Sequence, residues 1–371
     1  MKTRNFYKSF AFVKDNMKII PHESNIMRIE DPIYGKTKIK ESVLIDILNS
    51  NEVLRLHDIN QFGVPQKWYG NDLRNFSRYS HSVGVFILLR KLNASLEEQV
   101  AGLTHDVSHR VFSHVSDWVL GHQKNEDSQD KTHKKFLYNS SLKKIIERHG
   151  FNIERIADHQ SFSLLEREIP ELCADRVDYC LRELYYNQSL VNPKCLADSL
   201  ISHQGRIIFN DIIPANFFGF SFVNLQNKHW GSKDKSIRFY LLSDVIKTAL
   251  RSDKLKPGDL WKTDQYIVEI LENSKDPKII NKLRLLEQGF QFIEDQEKPE
   301  IDIQKKFRYV NPAFLDKKQE VKYLMDVNEN YKKLVEESER SNKKGIRGKI
   351  IPKNSETSYD DHYDRKNKIT A

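Results

Sequence analysis

Between residues 104 and 117 the chain carries His105, Asp106, His109, His114 and Asp117, three of its 13 histidines in one short span. Imidazole and carboxylate together make a mixed nitrogen and oxygen donor set, suited to Mn, Fe, Co, Ni or Zn. Adjacent His105 and Asp106 would point about 100° apart on a straight helix, so they share an ion only at a helix end or irregularity. A lone His-Asp pair is common and carries no function. It needs further donors, and elements that bring them together.

The surrounding pattern supplies both. A helix is expected over 43–56, and another from Ser80, with Val85, Leu88, Leu89 and Leu92 on one face. Ser95-Leu96-Glu97-Glu98 is a capping-box signature that starts a following helix running to His105. His81 then lies near the start of one helix and His105 near the end of the next, which a tight antiparallel pair places at the same end. Pro170 is read as the first residue of a helix reaching Tyr186. On it Cys173, Val177, Cys180, Leu181 and Leu184 share one side, and Asp175, Tyr179 and Arg182 the other. That second side is either an ordinary solvated face or a pocket wall on which Tyr179 and Arg182 support Asp175. Further on, strands are expected at 207–209, 217–223 and 305–310, and helices at 236–250, 263–273 and 321–335.

At 371 residues, with 39% hydrophobic and 30% charged residues, the chain has the composition of a soluble body with polar extensions. No apolar run reaches the roughly 18 residues a membrane helix needs, and residues 1–20 lack the apolar core of a secretory signal. Three cysteines, Cys173, Cys180 and Cys195, follow no zinc-knuckle or disulfide pattern, so a reducing, cytoplasmic setting is expected. The net charge is +8, but residues 340–371 hold nine Lys and Arg against four Asp and Glu. Most of the basic excess therefore sits on a segment that reads as a flexible tail.

In chain order, His81, His105-Asp106 and Asp175 resemble the ligands of the HD-domain metal phosphohydrolases. The segments 31–35, 55–56, 61–63, 78–85, 105–117, 131–133, 175–179, 262–264, 274–278 and 306–312 resemble successive signatures of one branch, over about residues 26–315. That branch includes the deoxynucleotide triphosphohydrolases and the SAM-and-HD-domain enzyme. The resemblance implies a mainly α fold: a helical HD core over 24–205 after a lead-in at 1–23, a smaller mixed α/β region at 206–339, and a disordered basic tail at 340–371. It implies His81, His105, Asp106 and Asp175 as ligands of a divalent transition metal, with Mg as a second ion. His109, His114, Asp117 and His133 resemble the group beside the scissile phosphate, with His133 paired to Asp117 as an oriented acid or base. Arg78 resembles the arginine that holds the substrate phosphate, and Gln61 and Tyr179 match positions that contact the nucleoside. A nucleotide substrate and a homo-oligomer follow on the same grounds.

Each reading has a plain counterpart. His109 and His114 could be satisfied core histidines, Arg74 and Lys306 solvated, and Arg176 one half of an ion pair; His122, His149, His159 and His203 read as ordinary surface or core residues. The chain also departs from the branch at Val107, Ser108, Arg110 and Asn311, where Arg110 could grip a phosphate or narrow the pocket. The expected reaction is hydrolysis of a deoxynucleoside triphosphate to nucleoside and tripolyphosphate. A phosphodiesterase acting on cyclic nucleotides or nucleic-acid ends is the alternative. A nucleotide sensor, or a nucleic-acid-binding module contacting its partner weakly through the tail, is a third.

Overall fold

The computed structural model describes residues 12–21, 26–69, 75–187 and 191–353. Arg74 and residues 354–371 of the expected tail lie outside them. The described residues are mainly helical, with three small sheets.

Residues 12–21 of the lead-in are built into the fold. Strands β1 (Phe12–Lys14), β2 (Met17–Pro21), β3 (Met27–Asp31) and β4 (Gly35–Ile39) form an antiparallel meander. Lys14 pairs with Met17 across a two-residue turn in which Asp15 and Asn16 have φ of 53° and 58°. Asp and Asn tolerate that left-handed backbone, which matches the twist of a hairpin. The turn then does more than reverse the chain. Asp15 Oδ2 accepts hydrogen bonds from the Ser77 amide (2.8 Å), the Ser77 hydroxyl (2.5 Å) and the Ser80 hydroxyl (2.7 Å). A carboxylate thus sits at the positive N-terminal end of helix α1 (Arg78–Lys91), whose N-cap is Ser77. That helix carries Arg78 and His81.

Helix α1 is buried along almost its whole length, which suits a central helix, and Ser95 caps α2 (Leu96–Thr104) by accepting from the Glu98 amide. Helix α2 stops at Thr104, so His105 and Asp106 emerge at a helix end, as their shared chemistry requires. A short helix α3 (Val115–Val119), α4 (Ser128–Tyr138) and α5 (Ala174–Tyr186) complete the wall around them. Pro170 does not start α5: its peptide bond to Ile169 is cis, and the helix begins four residues later, with Cys173 as N-cap.

The C-terminal part departs further from expectation. Residues 217–223 are not a strand but belong to helix α6 (Ile212–Leu225), because Phe218 and Phe222 recur at helical spacing into the core. Residues 305–310 form no strand. Helix α7 (Lys233–Arg251) contains the expected 236–250, and helix Asp264–Glu272 follows. The expected helix at 321–335 is split between strand and helix. Strands β5 (Leu200–His203), β6 (Arg206–Phe209), β9 (Ala313–Leu315) and β10 (Val321–Tyr323) form one sheet in the order β10-β9-β6-β5. Strands β7 (Phe290–Glu294), β8 (Ile301–Ile303) and β11 (Ile346–Pro352) form another in the order β7-β11-β8. The expected tail therefore starts too early: Arg340 and Lys343 close helix α8 (Glu329–Lys343), and residues 346–352 are the central strand of that sheet.

Candidate metal centre and substrate cavity

Four side chains converge where α1, α2 and α5 meet. His81 Nε2 lies 3.3 Å from His105 Nε2 and 2.9 Å from Asp175 Oδ1, and His105 Nε2 is 3.5 Å from the same oxygen. Asp106 approaches His81 at 3.7 Å and His105 at 3.5 Å. His105 Nδ1 lies 2.7 Å from the Gly102 carbonyl, which can only accept, so the ring proton is on Nδ1. His81 Nδ1 donates in the same way to Asp178 Oδ2 at 2.8 Å. Both imidazoles therefore turn an Nε2 lone pair toward two carboxylates. Converging acceptors with no donor between them suit a cation, and the remote hydrogen bonds fix tautomer and ring orientation as metal ligands require. Burial pulls the His81 imidazole down, but Asp175 and Asp178 outweigh it and hold its pKa at about 9, so a cation binding at Nε2 must displace a proton there. Burial likewise raises Asp106, yet Arg78, His105 and His109 outweigh it and keep the carboxyl well below its usual range.

Arg78 is buried against this cluster. Its Nη1 donates to Asp106 Oδ2 at 2.5 Å and its Nε to Ser113 Oγ at 2.7 Å, while Nη2 is buried without a partner among the described residues. Ser113 reaches it from a loop in which Phe112 and Ser113 have φ of 57° and 49°. The Phe112 amide donates to Asp264 Oδ1 at 2.6 Å, and Arg55 binds the carbonyls of Val107 and His109. Those two contacts hold an unfavourable backbone in place. Gly63 packs so close that a Cβ there would meet the Phe112 carbonyl at 2.7 Å.

The remaining expected residues line the same cavity, of about 840 Å³, or its immediate wall. His109 Nε2 is 3.2 Å from Asp106 Oδ1, and burial together with Arg78 lowers its pKa to about 3, so the ring is neutral. Asp117 does not pair with His133. Its Oδ2 is 2.9 Å from His114 Nδ1 and its Oδ1 accepts the Ser128 amide at 3.0 Å. The reason is local: His114 and Asp117 lie three apart on one helical turn, whereas His133 is a helix further on. There His133 Nδ1 meets Ser108 Oγ at 2.8 Å, and its Nε2 is buried without a partner among the described residues. Gln61 and Tyr179 both line the cavity, and Gln61 Oε1 is also buried and unpartnered. From them a side recess of about 80 Å³ runs between Phe62, Trp118, Trp230 and Phe239.

Other expectations are redirected. Arg182 does not support Asp175. It is fully buried between Asp178 (2.8 Å) and Asp31 (2.7 Å), behind the metal cluster. Arg110 turns onto the Trp261 ring, 4.3 Å from its centroid, and grips nothing in the cavity. Arg176 lines the cavity while bound to Glu166 at 3.0 Å, so it is both wall and ion pair. His159 is no ordinary histidine: its ring lies 4.2 Å from His133 and 6.2 Å from His105, with Nε2 unpartnered. It stands on an isolated 3₁₀ turn, His159–Ser161, where no periodicity marks it.

Residues 78–183 match the HD domain family. The protein YdhJ of Bacillus subtilis is 36% identical over 333 residues, covering 88% of this chain and 99% of that protein. The metal-dependent phosphohydrolase cns2 of Cordyceps militaris is 42% identical over 160 residues, 43% of this chain and 45% of that protein. A deoxynucleoside triphosphate triphosphohydrolase SAMHD1 homologue of Dictyostelium discoideum is 25% identical over 307 residues, 70% of this chain and 57% of its own. Among solved structures, a phosphohydrolase of Bacteroides thetaiotaomicron shares the fold, with a TM-score of 0.60 at 17% identity over 83% of this chain and 96% of that one. Family match, full-length relative and convergent donors agree, and the chain belongs to the HD-domain metal-dependent phosphohydrolases.

Proposed function

We propose that this phosphohydrolase acts on nucleotides and cleaves the ester bond between sugar and phosphate. The reading rests on three polar atoms beside the proposed metal ligands that have no partner among the described residues: Arg78 Nη2, His133 Nε2 and Gln61 Oε1, all buried on the cavity wall. An unsatisfied buried donor or acceptor is costly, and a substrate that bonds all three removes that cost. A divalent ion held by His81, His105, Asp106 and Asp175 supplies a water of lowered pKa and neutralises phosphoryl oxygen charge.

The chain's own groups do the rest. Arg78, locked by Asp106 and Ser113, offers its free Nη2 to a phosphoryl oxygen. Ser108, which accepts from Gln129 at 2.9 Å, has its own proton to give His133 Nδ1. The His133 proton then sits on Nε2, placed to donate a hydrogen bond to the departing sugar oxygen as charge develops on it. Gln61, Tyr179 and the aromatic recess take the nucleoside side. In a deoxynucleoside triphosphate, the substrate named for the Dictyostelium relative, this cleavage releases nucleoside and tripolyphosphate. Incubation with Mn and a panel of nucleotides, beside Asp106→Ala, tests it. Free nucleoside from the wild type alone supports the reading, and a nucleoside monophosphate from a diester points to a phosphodiesterase instead. Intact nucleotide throughout overturns it.

A further inference from the structure

The segment that leads into the helix Asp264–Glu272 supplies no proposed metal ligand and lines no part of the cavity, yet it is tied three times to the loop after Asp106. The Val111 amide donates to the Leu260 carbonyl at 3.0 Å. Arg55 joins the Lys262 carbonyl (3.1 Å) to those of Val107 (3.0 Å) and His109 (2.6 Å). The third tie is Asp264, only 4% exposed, whose oxygens each accept a backbone amide: Oδ2 that of Asn60 at 2.8 Å and Oδ1 that of Phe112 at 2.6 Å. The two amides belong to separate segments, and each segment places a cavity group. Asn60 bridges to Ser77, the Gln61 amide donates to the Phe76 carbonyl at 2.9 Å, and the Arg78 amide donates to the Ile59 carbonyl at 2.9 Å. Phe112 precedes Ser113, whose hydroxyl donates to the Asn60 carbonyl at 2.6 Å and accepts from Arg78 Nε at 2.7 Å. The result is a closed ring through Asp264, Asn60, Ser113 and Phe112, with the Arg78 guanidinium attached at Ser113.

We infer that Asp264 is a positioning residue for the substrate side of the site: its carboxylate clamps the Gln61 segment to the Ser113 loop and so fixes the direction in which Arg78 is presented. It touches neither a proposed metal ligand nor the cavity. The inference rests on the reading that Arg78 receives a substrate phosphate. Two consecutive left-handed residues, Phe112 and Ser113, are costly to hold, and a buried Phe112 amide needs an acceptor. Without the carboxylate that loop relaxes and Ser113 withdraws from Arg78, while the bond from Arg78 Nη1 to Asp106 remains. Protonation opens the same clamp, because both oxygens face N–H donors and a carboxylic acid exchanges one acceptor for a donor. Burial lifts the Asp264 pKa to about 7 against the two amides, the Asn60 side chain and Arg55, which favour the charged form. Arg55 is the charged group facing it, and Glu52 and Arg78 act on Arg55 in turn.

The test compares the full-length wild type with Asp264→Asn, which keeps the shape but turns an NH2 toward one of the two amides at every pH. Amide hydrogen exchange, corrected for intrinsic rates, is followed at Asn60 and Phe112 from about pH 8 to about pH 6. Val111, bonded on the same strap to a carbonyl that does not titrate, is the internal reference. In the wild type the ionised fraction drops from about nine-tenths to about one-tenth over that range, and protection at one or both amides should fall several-fold relative to Val111. In Asp264→Asn it should be low and flat. With Mn and the nucleotide turned over best, KM should rise about tenfold in the variant, the loss of one charge-assisted contact, with kcat nearly unchanged because that contact is made in ground and transition states alike. Mn affinity by calorimetry should stay within about threefold. Equal, pH-independent protection in both proteins overturns the clamp, and so does a loss of Mn affinity as large as the rise in KM, which would make Asp264 a general structural residue. The wild-type exchange profile needs no variant, so a misfolded Asp264→Asn still leaves the clamp decided. A wild type that hydrolyses no nucleotide overturns the nucleotide reading, and exchange then decides the clamp alone.

Discussion

Asp178 Oδ2 lies 2.8 Å from His81 Nδ1 and 2.8 Å from Arg182 Nε, so one carboxylate orients a proposed metal ligand and is itself held by a buried arginine. Arg182 passes the restraint on to Asp31 at 2.7 Å, whose other oxygen accepts the amides of Ile33 and Tyr34 at 2.8 and 2.9 Å. The motif at 31–35 is therefore a support for the metal site rather than a substrate contact. Replacing Asp178 with Asn weakens the acceptor and frees the His81 ring to turn. Affinity for Mn by calorimetric titration is expected to fall about 10- to 100-fold, the usual effect of losing such a partner. Unchanged affinity would refute the orienting role.

Gly84 stands one helical turn after His81, facing the same pair. A Cβ there would lie 2.0 Å from both Arg182 Nη2 and Asp178 Oδ1. Alanine would otherwise favour a mid-helix position by about 1 kcal/mol. Here the clash dominates, because both neighbours are fully buried and tied to each other. Gly84→Ala is expected to destabilise the fold by about 2 kcal/mol or more in denaturant melts and to weaken Mn binding as well. A neutral or stabilising result would mean the Arg182 network can shift freely.

How much of this was legible in the sequence depended on whether a signal was local. The N-cap at Ser95 placed the helix that ends before His105, because cap chemistry is decided within a few residues, although Glu98, expected to close a capping box, instead accepts the amides of Leu164 and Leu165. The convergence of His81, His105 and Asp106 followed from that. Arg182 was misplaced because helical spacing puts it on the Asp175 side, and nothing local reveals that Asp31, 151 residues earlier, neutralises it in the core. The Asp15 turn onto Ser77 is equally non-local. Residues 217–223 read as a strand because aromatic residues favour strands in general, and tertiary packing overrides that propensity. His159 had no pattern at all: a short turn brings it to His133, and only the folded chain shows it.

The pairing of Asp117 with His114 rather than His133 makes a kinetic prediction. His133→Ala removes the donor placed against the leaving oxygen, and kcat is expected to fall about 10²- to 10³-fold while bound Mn stays at wild-type stoichiometry. Asp117→Asn acts through His114 instead. Combined with His114→Ala it should be strongly non-additive, and with His133→Ala nearly additive, since coupling is confined to groups in contact. The reverse pattern in the two double-mutant cycles would restore the His133–Asp117 pair.

Lys235 gives a pH dependence that lies away from the metal. Its Nζ sits over the rings of Phe62 (4.2 Å) and Phe239 (4.9 Å) at the aromatic recess, and burial lowers its pKa to about 8. Glu183, the nearest opposing charge, is already bonded by Trp230, His229 and Asn187. The unfolded chain holds this proton with the ordinary lysine pKa of about 10.4, more tightly than the folded chain does. Acid therefore favours unfolding here: the contribution to stability is complete above about pH 10 and is lost as pH falls through about 8. Lys235→Met keeps the stem packed on both rings and removes the charge. Its Tm should exceed that of the wild type by about 1 to 2 °C at pH 7, and the advantage should shrink steadily between pH 8 and 9.5 as the wild-type lysine loses its proton. A constant difference across that range would place the effect in packing and not in the buried charge.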